Sequence, residues 1–282
     1  MEMIRYRPSA PLNRYVETFW WSHRDRAGEY SEHMLPSGSV HMIFALHQEP
    51  IICVPGSSPR DSLSWSGAIV HGPQWSYFKT APKPAGTTVG IAFRAGMAGG
   101  ILGFPISELT DCHVSVAAVW GARGHELRER LLGARSPNSV FSILETELIA
   151  RLKRPLLIHP AVSNALAFRS AGWPAIRVAD VQRDTGYSPR HFVALFREAV
   201  GLTPKHYYRI KRFIAVLQDL ASSDPEDLAD LATSAGYSDQ AHLTREFREF
   251  AGVTPTQYRP RDSTSILHHR ALDATLGRPL ER

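Results

Sequence analysis

The chain has 282 residues, 43% of them hydrophobic and 21% charged, with a formal net charge of +5. That length exceeds one ordinary core of roughly 100–150 residues and fits about two domains, while the composition excludes disordered, collagen-like and low-complexity polypeptides. No apolar run approaches the roughly 18 residues of a membrane span, and the opening MEMIRYRPSAPLNRY lacks the apolar stretch of a signal peptide, so no membrane partner and a cytoplasmic location are expected. Two cysteines, Cys53 and Cys112, are too few for a four-thiolate zinc site and read as structural thiols in a reducing compartment.

In chain order, SVHMIFAL (39–46), IICV (51–54), GAIVHG (67–72), YFKT (77–80) and TVGIAF (88–93) are short β-rich runs divided by Pro, Gly and Ser. They predict a small sheet or barrel. From Met97 the pattern turns helical, ending in HELRERLLG (125–133) and SVFSILETELIARLKR (139–154), where Phe141, Leu144, Leu148 and Leu152 form one apolar stripe. Such a stripe serves either a core or a dimer seam. KRPLLIHP (153–160) then reads as a compact, proline-bearing linker. The first helix beyond it is expected to start near Pro160 and run to Ser170.

The last hundred residues contain a repeat. VADVQRDTGYSPRHFVALFREAVGLTPKHYYR (178–209) returns as LADLATSAGYSDQAHLTREFREFAGVTPTQYR (228–259), first at an offset of 50 and then of 51 residues. Each copy reads as helix, tight turn, helix. Gly186 and Gly236 end the first helices, Ser188 and either Ser238 or Asp239 cap the second, and Gly201 and Gly252 stop them. Phe192, Leu195, Phe196 and Val200, and in the second copy Leu243, Phe247 and Phe250, recur at helical spacing and are expected inside. Between the copies, Lys205 to Leu220 predicts a spacer helix about 24 Å long.

Charge is uneven within this half. From Arg177 to Arg212 there are eight basic and three acidic residues, whereas from Asp219 to Glu249 there are two basic and eight acidic. The first copy is therefore the more attractive to phosphate.

Residues 158–262 resemble the tandem helix-turn-helix domain of the AraC family of bacterial transcription regulators, most closely through GYSDQAHLTREFREFAGVTPTQYR. PLNRYVETFWWSH (11–23), MLPSGSVHMIF (34–44), IVHGPQ (69–74) and VGIAFRAGMAGGILGFPISELTD (89–111) resemble the amino-terminal domain of one subgroup of that family. There the resemblance implies a cupin-like sensor domain. LPSG stands here where many relatives have LPDG, so Ser37 offers no carboxylate.

A recognition helix reads bases through exposed residues near its start, while its cap and flanks hold phosphates. The outward positions are Arg190, Val193 and Ala194 in the first copy and Gln240, Ala241, Thr244 and Arg245 in the second; the resemblance places Gln240, Thr244 and Arg245 where family members contact DNA. Ser188, Arg197, Lys205, Arg209, Lys211, Arg212 and Ser238 are the phosphate-contact expectations. For Arg190 and Arg245 the competing reading is a solvated helix face, and for Arg197 a surface ion pair.

In the front domain, Trp20, Phe44, Trp75 and Phe93 are candidates for an apolar effector pocket, with plain core packing the equal alternative for each. Catalytic cupins hold a metal with a closely spaced His-x-His and a following Glu. His33, His41, His47 and His71 are scattered instead, and neither a Gly-rich phosphate loop nor a nucleophile elbow is present. No catalytic residue, metal or cofactor is assigned.

The expected fold is α+β: a β-rich cupin-like sensor and dimerisation domain with trailing helices (1–154), a linker (155–159), an all-α domain with two helix-turn-helix units (160–262) and a mobile tail (263–282). The expected function is non-enzymatic, a sequence-specific DNA-binding transcription regulator modulated by a small-molecule effector. Double-stranded DNA, RNA polymerase and a second copy of the chain are its expected partners. The alternative is a DNA-binding module fused to an alkyl-transfer-like enzyme, which two isolated cysteines disfavour.

Overall fold

Strands alternate their side chains between two faces, and the front half uses both faces of its larger sheet. In a computed structural model describing residues 2–56, 63–152, 158–167, 187–222, 227–260 and 265–270, that sheet has six antiparallel strands. They are β1 (Glu2–Tyr6), β2 (Val16–Arg24), β4 (His41–Leu46), β7 (Ala68–His71), β9 (Gly86–Phe93) and β10 (His113–Ser115), in the order β1-β2-β9-β4-β7-β10. A second sheet holds β3 (Glu32–Met34), β5 (Ile51–Pro55), β6 (Leu63–Trp65), β8 (Phe78–Thr80) and β11 (His268–Arg270), in the order β11-β3-β8-β5-β6.

On one face of the larger sheet, Phe19, Met42, Phe44, Val89, Ile91 and Phe93 are buried in a core completed by helices. After the short turn α1 (Gly99–Leu102), α2 (Val116–Trp120), α3 (Ala122–Leu132) and α4 (Pro137–Arg151) follow. Leu127 and Leu131 of α3 and Phe141, Leu144 and Leu148 of α4 join this core, so the apolar stripe of α4 is consumed within one chain. The opposite face carries Thr18, Trp20, His41, Ile43 and Ala45 toward the second sheet.

Trp20 pairs directly with Gly90 across β2 and β9. A Cβ at Gly90 would lie 2.1 Å from the Trp20 ring, so only glycine lets the indole lie flat over the neighbouring strand. Gly90→Ala is expected to displace the indole and to cost about 1–3 kcal/mol, as overpacking does. A chemical denaturation midpoint equal to wild type would contradict this.

The C-terminal half comprises α5 (Pro160–Ala167), α6 (Pro189–Val200), α7 (Pro204–Ser222), α8 (Leu228–Ser234) and α9 (Gln240–Ala251). Phe192, Phe196, Phe213, Phe247 and Phe250 form its centre, all at 0% exposure. Thr203-Pro204 opens α7 as expected, but the helix runs 19 residues, about 28 Å, two residues beyond Leu220. Thr254-Pro255 opens only a single 3-10 turn, Pro255–Gln257, closed by a capping box. The first helix of the first repeat and most of the linker (153–157) lie outside the described residues.

The expected mobile tail is corrected in part. His268–Arg270 form β11, which pairs antiparallel with β3 of the front domain through His268 and Met34, His269 and His33, and Arg270 and Glu32. Weak periodicity hid this strand because backbone pairing with an existing edge, together with the contact of His268 Nδ1 with Glu32 Oε2 at 2.8 Å, supplies what its three residues lack.

Candidate nucleic-acid interface

The two helices expected to read DNA, α6 and α9, both start from a side-chain cap. Ser188 Oγ accepts the His191 backbone N–H at 3.4 Å, and the Asp239 carboxylate accepts that of His242 at 2.6 Å, settling the second cap on Asp239. Each helix ends on a glycine with positive φ, Gly201 at 82° and Gly252 at 73°. Between these ends the apolar stripe faces inward and leaves the expected reading positions outward. Arg190, Ala194, Gln240, Ala241 and Arg245 are exposed, and Val193 and Thr244 are half-buried. Among the described residues neither Arg190 nor Arg245 makes a hydrogen bond or ion pair, and the charge of Arg245 is felt by the Asp239 carboxylate.

The phosphate expectations divide. Lys205, Arg197, Ser188 and Ser238 are exposed. Arg209 and Arg212 are not available: Arg209 Nε donates to Glu246 Oε2 at 2.7 Å, and Arg212 Nη2 donates to both carboxylate oxygens of Glu246 at 2.9 and 3.0 Å. Tyr237 donates to the same carboxylate at 2.8 Å and lies under the Arg212 guanidinium. Lys211 is also taken, since its Nζ donates to the Ser37 carbonyl at 3.0 Å. The basic run on the spacer helix therefore ties α7 to α9 and to the front domain.

Glu246 was missed by the sequence reading. Burial pushes its carboxyl up, but hydrogen bonds from Arg209 and Arg212 outweigh that and hold it below the ordinary glutamate value. The available signal was a glutamate inside the apolar stripe, three residues after Leu243 and beside Phe247, where the first copy has Leu195.

The C-terminal ends of α6 and α9 rest on the front domain. Thr110 Oγ1 donates to the Gly201 carbonyl at 2.5 Å, and a Cβ at Gly201 would meet Pro73 and Ile106 at about 3 Å. His33 Nδ1 meets the Ala251 carbonyl at 2.9 Å, and Tyr77 packs so closely on Gly252 that a Cβ there would lie 2.4 Å from its ring. The LPSG loop joins the same interface. Leu35 enters the C-terminal core, Ser37 accepts from Lys211, and Gly38, at φ +76°, sits against Tyr207.

Between the two sheets lies a cavity of about 360 Å³. Trp20, Ile43, Ile52 and Phe78 line it with His41 and Lys83, and residues 265–268 close one side. Of the four pocket candidates Trp20 lines it; Phe44 and Phe93 belong to the core on the other face of the sheet, one register step away, and Trp75 is 51% exposed. Ser37 Oγ bonds His41 Nε2 at 2.9 Å, the polar role left to this position without a carboxylate.

A profile of helix-turn-helix domains, HTH_18, matches residues 182–261, and one of a domain of unknown function, DUF6597, matches residues 4–115. The chain is 29% identical over 93 residues to the probable transcription factor PqrA of Proteus vulgaris, covering 33% of this chain and 75% of PqrA. It is 32% identical over 89 residues to the putative HTH-type transcriptional regulator YkgA of Escherichia coli, covering 31% of this chain and 36% of YkgA. Among solved structures, ToxT of Vibrio cholerae aligns with a TM-score of 0.44 at 10% identity, covering 84% of this chain and 95% of ToxT. Among the described residues no helix is long and apolar enough to cross a membrane.

Proposed function

We propose that the chain is a transcription regulator of the AraC type, in keeping with the helix-turn-helix match over residues 182–261, and that it binds double-stranded DNA sequence-specifically in the cytoplasm, using α6 and α9 as reading helices. The observation that carries this reading is the pairing of two capped helices whose starts are exposed and whose ends are anchored on one partner domain. Arg190 and Arg245 read base edges, and Ser188, Arg197, Lys205 and Ser238 hold phosphates. Val193, Ala194, Gln240, Ala241 and Thr244 complete the two reading faces.

The front domain supplies regulation in this reading. A small-molecule effector in the cavity beside Trp20 touches walls continuous with the LPSG loop and the Tyr77 segment, and so favours one placement of the reading helices over another by its differential affinity. RNA polymerase and a second copy of the chain are the protein partners. In this reading the chemistry is not enzymatic: of the two thiols an alkyl-transfer enzyme could use, Cys53 is fully buried, and a thiol titration that finds a reactive Cys112 would revive that alternative.

Selection of genomic duplex fragments by the full-length protein at two salt concentrations tests the reading. The expected result is a shared motif of two half-sites about one helical turn apart. Salt-sensitive binding with no motif would reduce the domain to a phosphate-holding surface. A broad ligand screen that leaves the affinity for a selected fragment unchanged would remove the effector.

A further inference from the structure

The fold gathers three metal-ligating side chains that the chain order scatters. His71 on β7 and His113 on β10 are direct cross-strand partners, and Cys53 reaches them from β5 in the opposing sheet. One candidate ligand atom from each lies within 4.8 Å of the other two. His71 Nδ1 and His113 Nδ1 are 2.6 Å apart, a separation at which two imidazoles share a proton. Phe78 stacks against His71 with centroids 5.0 Å apart and meets His113 edge-on at 4.5 Å, while Ile69 and Trp65 close the surroundings. Cys53 and Ile69 are fully buried there.

We propose that Cys53, His71 and His113 form a binding site for a thiophilic d10 cation, Zn2+, with three protein ligands and a fourth position facing the cavity. Ligand chemistry selects the ion: one soft thiolate with two imidazoles suits zinc and does not suit magnesium or calcium, which take oxygen ligands. In so apolar a pocket the anionic thiolate also offsets part of the cation's desolvation cost. A tetrahedral centre with Zn–N near 2.0 Å places two nitrogens about 3.3 Å apart, so the histidine pair widens by about 0.7 Å on binding. His71 lines the cavity, which puts the fourth position within reach of water or of a molecule held there.

Such an ion staples β7 and β10 of one sheet to β5 of the other. It also sits three residues beyond Thr110, whose hydroxyl holds the end of α6. Any metal effect on DNA binding rests on the function proposed above, whereas the site itself does not.

The test uses the full-length protein, freed of metal by a chelator and titrated with Co2+ as the spectroscopic stand-in for Zn2+. One equivalent is expected to produce a thiolate-to-Co2+ charge-transfer band with the intense ligand-field bands of a tetrahedral centre, both abolished by one equivalent of Zn2+. Cys112→Ser should leave the spectrum unchanged and Cys53→Ser should remove the charge-transfer band. His113→Asn, at a half-buried position on an edge strand, should weaken Co2+ binding by at least about tenfold with circular dichroism unchanged. A weak octahedral-type spectrum in the wild type, or bands indifferent to Cys53→Ser and His113→Asn, would overturn the site and leave the two histidines as a hydrogen-bonded structural pair.

Discussion

Glu246→Ala is expected to destabilise the C-terminal domain by about 3 kcal/mol, the low end of the cost of breaking a buried ion pair. The carboxylate side chain is 3% exposed and receives Arg209, Arg212 and Tyr237; without it two guanidinium groups lose their shared acceptor. The cost stays at the low end because those groups are 25% and 19% exposed and recover some water. The effect has a pH signature. Because the folded carboxyl titrates below its unfolded value, its contribution is present above the unfolded glutamate range near 4.5 and is lost as pH falls through the lower folded value. Denaturation curves of wild type and Glu246→Ala should therefore differ most at neutral pH and converge in acid. A constant difference down to strongly acidic pH would contradict the assignment, and Glu246→Gln should fall between the two.

Arg245→Ala is expected to weaken binding to a selected operator by roughly 5- to 150-fold, the 1–3 kcal/mol of one bidentate arginine–guanine contact, and to relax sequence preference in one half-site only. Folding should be untouched, since Arg245 is exposed and forms no ion pair among the described residues. Lys205→Ala provides the contrast. Loss of a phosphate contact weakens all sequences alike and lowers the slope of affinity against salt by about one. Equal weakening of specific and nonspecific duplexes by Arg245→Ala would place that residue on the backbone.

The readable parts of the chain were those where local chemistry decides the outcome. The repeat placed both glycine stops and the Ser188 cap, because turn and cap residues act within a few positions of themselves. The five β-rich runs located β4, β5, β7, β8 and β9, whose apolar residues alternate over a buried sheet. Long-range partners were not readable. Arg209 and Arg212 looked like phosphate contacts because basic residues on a helix say nothing of a glutamate 34 to 37 residues away. Phe44 and Phe93 stand equally as pocket or core residues in the sequence because an aromatic in a strand does not declare its face until the register is known. Trp75 lay outside for a different reason, its backbone carbonyl being engaged by His206 Nε2 at 3.0 Å on the domain interface. β11 escaped because a three-residue strand is specified by the edge it joins.

The anchoring of α6 and α9 on the front domain is the feature that joins the fold to the proposed function. Gly201 and Gly252 end α6 and α9 for local reasons, and the same glycines permit the close approach of Ile106 and Tyr77. In the function proposed above, a change in the front domain reaches α6 and α9 through these ends.

The most direct measurement is a hydroxyl-radical footprint of the full-length protein on a selected operator, taken with wild type and with Arg245→Ala. Two protected patches on one face of the duplex, about 10 bp apart, with one patch lost in the variant, are the expected result. A single patch, or protection spread evenly along the fragment and unaltered by the substitution, would contradict DNA reading by two helices.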